Sequence, residues 1–517
     1  MSESKLTLPQ IRFMTDIQDF PYSTNTSALF ETIRHLPNPV WLDSGKPRSL
    51  QGRFDIISAA PLQVLESRGG VTRTSGSNIA SSRSQENPFV LAQRLLDEMS
   101  AQQYSEVSGD HSPALPFTGG LIGSFGYQAG NNFSATDTAL DKGLTDIVDF
   151  PDMRLGFYAW ALVINHQIRQ AWLVFHPACP AALKAEIEAL SSAAATAQQK
   201  AGSDKTSNDS SKLAGFHLTK DFTPSTDKAA YLDAVARIQS YIAAGDCYQA
   251  NYAQHFSASY AGEPWLAYQH LRDVLPSPFS AYLEWDGLES NGLESNGLEN
   301  KRLEKNKLKE NRHAVLCLSP ERFLKVANGS VETKPIKGTI RRGKTVTEDE
   351  EAAITLLNSS KDRAENLMIV DLLRNDLGKA CRPGSIRVPK LFGLESFANV
   401  HHLVSTITGQ LREQESALSL LEHCFPGGSI TGAPKKRAME VITELETLNR
   451  SLYCGSIGYV STNGRMDTNI VIRTLLADGE RLHCWGGGGI VADSDPETEY
   501  QESIAKVAIL LKALNFS

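Results

Sequence analysis

The sequence predicts an α+β fold with large, mainly antiparallel β-sheets. Three observations carry that prediction. Strand-like apolar runs such as Phe54–Ile57 and Leu155–Val163, punctuated by Gly119, Gly120 and Gly126, fill the first part of the chain. A helical pattern over Asp227–Ala244, stopping at Gly245, opens the second part. Beyond it, strands and helices alternate irregularly, without the βαβ period of a parallel sheet.

The 517 residues are 41% hydrophobic and 21% charged, enough apolar material for a sizeable core. A net charge of −8 and a pI near 5.9 argue against a nucleic-acid-binding face. No stretch reaches the roughly 18 apolar residues of a membrane span, and Met1–Lys5 lacks the apolar core of a signal peptide. The seven cysteines are scattered, odd in number and never in C-x-x-C spacing. They read as reduced thiols in a cytoplasm, with no disulfide framework or zinc site.

In chain order, region 1–191 reads as the first, strand-rich part. Residues 192–212 are rich in Ala, Gln, Ser, Lys and Asp, and a flexible linker is expected over 192–226. Region 227–517 carries the second part. Within it, residues 286–312 hold Gly-Leu-Glu-Ser-Asn twice, then Gly-Leu-Glu-Asn and a run of Lys, Glu and Asn. This insertion separates two strand-like runs, Phe279–Trp285 and Ala314–Ser319, and reads as an expanded hairpin tip that is expected to be disordered. A docking arm is the alternative reading of its mixed charge.

Several segments gather groups that folding alone does not require. The loop-like hexapeptide Lys334–Thr339 places Lys337 between Pro335, which fixes φ, and Gly338, which permits close approach. The helix expected over Lys361–Leu377 puts Asp362 and Glu365 on one face. Asp495-Pro496 signals a last helix, on which Glu499, Glu502 and Lys506 follow at i, i+3 and i+7. Carboxylates from two helices can hold one hard dication, since Mg²⁺ uses one or two of them with waters and substrate oxygens. Acidic residues also complement helix N-terminal dipoles, so both readings stand at this point. The glycine-rich Phe425–Lys435 stretch opens a helix whose N-terminus suits anions but lacks the order of a Walker loop. Trp485–Ile490, with four consecutive glycines after a strand, allows close backbone approach to a ligand. Arg473 stands inside the β-branched run Ile470–Thr474, where a guanidinium needs a carboxylate partner from protein or ligand.

Taken together, these segments resemble the chorismate-utilising enzymes. The resemblance rests on Ser319–Phe323, Pro335–Thr339, Ala364–Leu372, Arg374–Asp376, His402–Ser405, Gly432–Lys435, Ile472–Thr474 and Glu502-Ser503, and covers most of the chain after residue 226. Before the linker, Gly52–Ile56, Pro116–Gly120 and Phe125–Tyr127 resemble the N-terminal part of the same proteins. The resemblance implies two large sheets packed face to face with helices outside, merging the two apparent regions.

It also implies roles for individual residues. Anthranilate synthases carry alanine where this chain has Lys337, whereas Pro-Ile-Lys-Gly-Thr is similar to component I of the branch that aminates chorismate at C4, in p-aminobenzoate and folate biosynthesis. There Lys337 attacks C2 as the 4-hydroxyl leaves, and ammonia then adds at C4 and expels it. Glu321 looks like the acid that protonates the departing hydroxyl. Glu365 and Glu502 match Mg²⁺ ligands, and Glu499 a water-mediated one. Arg473 and Tyr453, helped by backbone N–H groups near Gly488 and Gly489, match groups that hold the enolpyruvyl carboxylate. Lys506 matches a residue near the ring carboxylate, and His402 a histidine near the enolpyruvyl group. Thr339, next to the lysine loop, is counted with the substrate-binding residues. Gln249 stands where isochorismate and salicylate synthases have a lysine base. No cysteine sits in a glutaminase-like setting, so the nitrogen source implied is a separate glutaminase subunit, or free ammonia in vitro. Val64–Ser67 resembles part of the tryptophan inhibitor signature of anthranilate synthases, departing at its first residue, which makes bound tryptophan a further implied ligand. An anthranilate synthase component I and a silent tryptophan-binding subunit are the alternatives.

Overall fold

The computed structural model describes residues 14–47, 49, 52–77, 79–101, 114–130, 144–200, 215–287, 312–397 and 400–514. Among these residues two twelve-stranded sheets form the body of the protein. Strand pairing within both is antiparallel throughout. The first sheet starts at Asp16–Phe20 and passes through Val40–Asp43, Phe279–Asp286 and Arg312–Ser319 to Arg481–Ile490, Gln249–Gly262 and Phe216–Pro224. The second runs from Ile336–Arg341 and Val400–Gln410 through Ser456–Ser461 to Gly120–Phe125 and Ile79–Ser84.

Regions 1–191 and 227–517 share both sheets. Val40 pairs with Leu283 in the first, and Ser456 with Phe125 in the second. The expected linker needs correction at both ends. Ala181–Lys200 is helical, and Phe216–Pro224 is an edge strand on Gln249–Gly262. The low apolar content of 192–200 is compatible with an Ala-rich helix, because alanine has the best helix propensity. Residues 201–214 lie outside the described residues. The insertion does join a hairpin, with Phe279 opposite Ser319 and Asp286 opposite Arg312, and residues 288–311 lie outside the described residues.

The run Trp160–Ile164 shows why some strands are apolar on both faces. Ala161 and Val163 join the core between the sheets, while Trp160, Leu162 and Ile164 join a second cluster under the helices. A strand buried on both faces reads as a continuous apolar run, not an alternating one. Helices Thr26–Ile33, Pro264–Val274 and Pro496–Leu514 supply Phe30, Trp265 and Val507 to that outer cluster. No helix among the described residues is long and apolar enough to cross a membrane. All seven cysteines are free.

Candidate active site

Lys337 lies in a strand, not in a loop. Ile336–Arg341 pairs with Val400–Gln410, and the register steps from Ile336 opposite Val404 to Thr339 opposite His402. That step leaves one extra residue on the Lys337 side, a β-bulge of the kind that re-aims a side chain. Gly338 makes it possible, since its φ is +86° and a Cβ there would lie 2.9 Å from Asp362 Oδ1. Among the described residues Lys337 has no hydrogen-bond or ion-pair partner. Burial lowers its pKa, and the charges it feels are those of Glu365, Lys506, Glu321 and Glu502.

The carboxylates come from two helices. Ser360–Gly378 starts at Ser359, whose hydroxyl caps the Asp362 N–H at 3.2 Å, and presents Glu365 half-buried. Pro496–Leu514 starts after Asp495, which caps Thr498 N–H at 2.9 Å, and presents Glu499, Glu502 and Lys506. Burial raises the pKa of Glu365, with Lys337 and Lys361 opposing and Glu499 adding to the rise. Burial likewise raises Glu499, against the Ser494 hydroxyl that donates to it at 2.7 Å. Glu502 is lowered overall: burial pushes it up, but Lys506, which donates to it at 2.7 Å, together with Lys361 and Lys337 outweighs that. Lys506 also donates to the Gly487 carbonyl at 2.8 Å. The glycine run does not follow a strand but forms one, Arg481–Ile490. A Cβ on Gly488 would stand 3.1 Å from Glu499 Oε2 and 3.3 Å from Lys506 Nζ, so bare backbone faces this charged corner.

Glu321 faces Lys337 from the other side. It is 5% exposed, and burial pushes its pKa up to about 7 against the Ser429 hydroxyl, Lys337, the Ile336 N–H and Arg473. Ser429 donates to Glu321 Oε1 at 2.7 Å. Arg473 stands at a bend before the Thr474–Asp478 strand, not inside a strand, with φ at +51°. A left-handed arginine is strained. Its guanidinium has no hydrogen-bond or ion-pair partner among the described residues, and burial lowers its pKa against the pull of Glu321. His402 is 2% exposed, and its Nδ1 lies 2.7 Å from Thr339 Oγ1. Burial and then Arg473 push it down to about 3, so the imidazole is neutral.

Two residues pack on the Arg481–Ile490 strand. Tyr453 stacks on Trp485, ring centroids 6.0 Å apart and planes within 10°. Gln249 is 1% exposed, and a Cβ on Gly489 would overlap its Nε2 at 1.8 Å. Its Oε1 is buried without a hydrogen-bond partner among the described residues. The structure thus gathers Lys337, Glu321, Arg473, His402 and Thr339 with the Glu365, Glu499, Glu502 and Lys506 corner. Tyr453, Gln249, Gly488 and Gly489 line the adjoining strand. The sequence reading missed Ser429 and Lys361. The Phe425–Lys435 stretch does open a helix, Lys435–Leu445. Lys435 donates to Asp376 at 2.5 Å and to two carbonyls, and the stretch contributes Ser429 to Glu321. The signal available was a hydroxyl among small residues, too common to single out.

A second cavity, of about 240 Å³, lies elsewhere between the sheets, lined by Asp43, Arg53, Phe279, Arg322 and Tyr459 among others.

This fold and this charged cleft are those of a chorismate-binding enzyme: the family model for that description matches residues 41–512, and the chain belongs to the family. Among relatives, aminodeoxychorismate synthase component 1 of Escherichia coli (strain K12) is 42% identical over 485 residues, covering 94% of this chain and 95% of that protein. Anthranilate synthase component I of Streptococcus pneumoniae superposes with a TM-score of 0.68 at 28% identity, covering 90% of this chain and 93% of that one. The menaquinone-specific isochorismate synthase MenF of E. coli shares the fold at a TM-score of 0.64 and 16% identity, over 97% and 94% of the two chains.

Proposed function

We propose that this chain is the chorismate-aminating component of an aminodeoxychorismate synthase, forming 4-amino-4-deoxychorismate from chorismate and ammonia. One observation carries the reading: half-buried Lys337, without a hydrogen-bond or ion-pair partner among the described residues, lies near a carboxyl group held at a pKa near 7. Nucleophilic attack needs a neutral amine, and burial lowers the amine's pKa. The nitrogen adds at C2, the ring double bond shifts, and the C4–oxygen bond breaks. Glu321 gives its proton to the departing hydroxyl, which leaves as water. The lysine ammonium passes a proton to the Glu321 carboxylate. Ammonia then forms the C4–N bond and the ring double bonds shift back. The C2–N bond to Lys337 breaks as Glu321 returns its proton to the leaving nitrogen, and the new amine stays on C4 as an ammonium.

Binding follows from the unpaired groups. Arg473 takes the enolpyruvyl carboxylate, with Tyr453 beside it and the backbone of Gly488 and Gly489 below. The neutral His402, tied to Thr339, offers a hydrogen bond and no charge. Gln249 provides an amide where water activation would need a base.

The Glu365, Glu499 and Glu502 corner fits Mg²⁺, since its donors are hard carboxylate oxygens. Among the described residues no three acidic, histidine or cysteine side chains come close enough together to hold a metal ion by themselves, so the ion would need waters and substrate oxygens to complete its shell. Glu365 and Glu502 would hold it, with Glu499 through water. When bound, the ion neutralises the substrate's ring carboxylate.

Ammonia is assigned to a separate glutaminase. Burial raises the thiol pKa of every cysteine in this chain, the opposite of what a glutaminase nucleophile needs. Tryptophan is assigned to the cavity between the sheets, where Tyr459 offers an aromatic ring and Arg53 a charge. A cytoplasmic location goes with seven free thiols, six of them buried.

The test is purified protein with chorismate, Mg²⁺ and ammonium, products resolved by mass. 4-Amino-4-deoxychorismate is expected. Anthranilate with pyruvate overturns the reading, and unchanged chorismate would mark a silent subunit.

A further inference from the structure

One buried charge near the site has no part in the chemistry above. Arg450 is 1% exposed, among the largest fully enclosed side chains. Its carboxylate partner is Glu446, at the end of the Lys435–Leu445 helix: Nε donates to Oε2 at 2.9 Å and Nη2 to Oε1 at 2.7 Å. Its other donors reach two separate walls of the site. Nη1 donates to the Ile430 carbonyl at 3.2 Å and Nη2 to the Asn251 carbonyl at 2.6 Å. Ile430 follows Ser429, whose hydroxyl rests on Glu321. Asn251 lies in the Gln249–Gly262 strand, opposite Gly489. The Arg450 carbonyl accepts the Tyr453 N–H at 2.9 Å, and its guanidinium lies over the rings of Tyr127 at 4.8 Å and Tyr453 at 6.0 Å. Glu446 Oε1 also takes the Ala253 N–H at 2.9 Å.

A buried ion pair is a poor source of stability, because desolvation of both charges offsets their attraction and a packed apolar side chain often serves as well. What an apolar side chain cannot supply is direction. The guanidinium fork aims fixed donors at several acceptors at once. We propose that Arg450, oriented by Glu446, is a positioning residue for proton delivery: it fixes the Gly428–Ile430 turn so that Ser429 stays on Glu321, and holds the Tyr453 turn against the opposite wall. The proposal rests on Glu321 being the acid of the reaction.

The groups facing Glu321 are Lys337, Arg473, the Ser429 hydroxyl, the Ile336 N–H and Cys454. The Ser429 bond favours the ionised carboxylate. Losing it raises the pH at which the acid titrates and moves the alkaline limb of activity upward. Misplacement of the acid lowers the rate in the same variant.

The experiment compares pH profiles of kcat/KM with saturating ammonium for wild type, Arg450→Met, Arg450→Lys, Ser429→Ala, the Arg450→Met/Ser429→Ala double variant and Glu321→Gln. Arg450→Met is expected to lose about 10- to 100-fold in kcat/KM and to shift the alkaline limb up by about one pH unit. Ser429→Ala should shift it equally, and the double variant no further. A purely structural Arg450 would lower the melting temperature and leave the limb in place, and that result overturns the proposal. Additive shifts in the double variant overturn it too. If Arg450→Met does not fold, Arg450→Lys and Glu446→Gln carry the same comparison. If wild type shows no alkaline limb that Glu321→Gln removes, the assignment of the acid fails and this proposal falls with it. A limb that Glu321→Gln abolishes but Arg450→Met leaves unmoved overturns this proposal alone.

Discussion

Two buried charged clusters in this molecule are built on opposite rules. In the first sheet, Asp43 accepts from Arg272 Nε at 2.5 Å, Arg272 Nη2 at 3.0 Å, the Tyr268 hydroxyl at 2.9 Å and the Gly45 N–H at 2.7 Å. Arg272 completes its set on the Lys46 carbonyl at 2.6 Å and lies over the Trp41 ring. Around Glu321 the charges stay open. Lys337 and Arg473 feel carboxylates near them but donate to none among the described residues. Buried charge that is fully paired is fixed in the fold, because removing one partner strands the other. Buried charge left unpaired is a site prepared for something that arrives from solution.

The sharpest way to break that comparison is Lys337→Ala. It should lower 4-amino-4-deoxychorismate formation with ammonium by on the order of 10³-fold or more, as loss of a nucleophile does. It should leave the melting temperature unchanged or raised, because it removes a half-buried amine without a partner among the described residues. Steady-state assays beside a thermal melt check both halves. A rate near wild type would end the covalent role of Lys337.

A matched pair comes next. Arg272→Met strands a buried carboxylate and should destabilise the fold by about 3–5 kcal/mol, while kcat/KM of the folded fraction holds. Arg473→Met should leave stability within about 0.5 kcal/mol. It should cost about 10- to 100-fold in kcat/KM, the worth of one charged hydrogen bond to substrate. Urea melts and steady-state kinetics on both variants decide it. Equal stability losses would erase the distinction between the clusters.

Glu321 joins the two rules in one residue, and its sign can be worked out. Burial raises its pKa from 4.5 to about 7 in the folded state. Between those values the folded protein binds more protons than the unfolded chain, so stability falls as pH rises through that window. Glu321→Gln should remove that fall, about 3 kcal/mol at the alkaline end, and abolish most of the activity. Stability curves at pH 5 and pH 8 test it. A wild-type fall that survives in Glu321→Gln would place the proton uptake elsewhere.

Much of the site was legible because its groups are charged residues in short ordered segments: Lys337 between Pro335 and Gly338, Glu365 on one helix, Glu502 on another. Helix starts at Asp227 and Asp495-Pro496 were equally plain, since caps are local chemistry. The bulge at Lys337 was not, because it depends on register with Val400–Gln410, a non-local fact. Ser429 and Arg450 were hidden for the same reason, as their meaning lies in partners brought near by the sheets. The helix within the supposed linker was obscured because polar, Ala-rich composition suits a surface helix and a disordered segment alike.

The smallest effect expected is at Thr339. Its hydroxyl meets His402 Nδ1 at 2.7 Å, on a ring held neutral by burial. Thr339→Val keeps the shape and deletes the hydroxyl, so one neutral hydrogen bond is lost, worth about 1 kcal/mol or roughly fivefold in kcat/KM. Thr339→Ser restores the hydroxyl and should restore the rate. Because His402 titrates near pH 3, neither variant should move the activity profile between pH 5 and 8. A shift within that range would show His402 changing charge during turnover. The imidazole would then belong with the groups that open charge to the substrate, beside Arg473, and not with the neutral lining of the site.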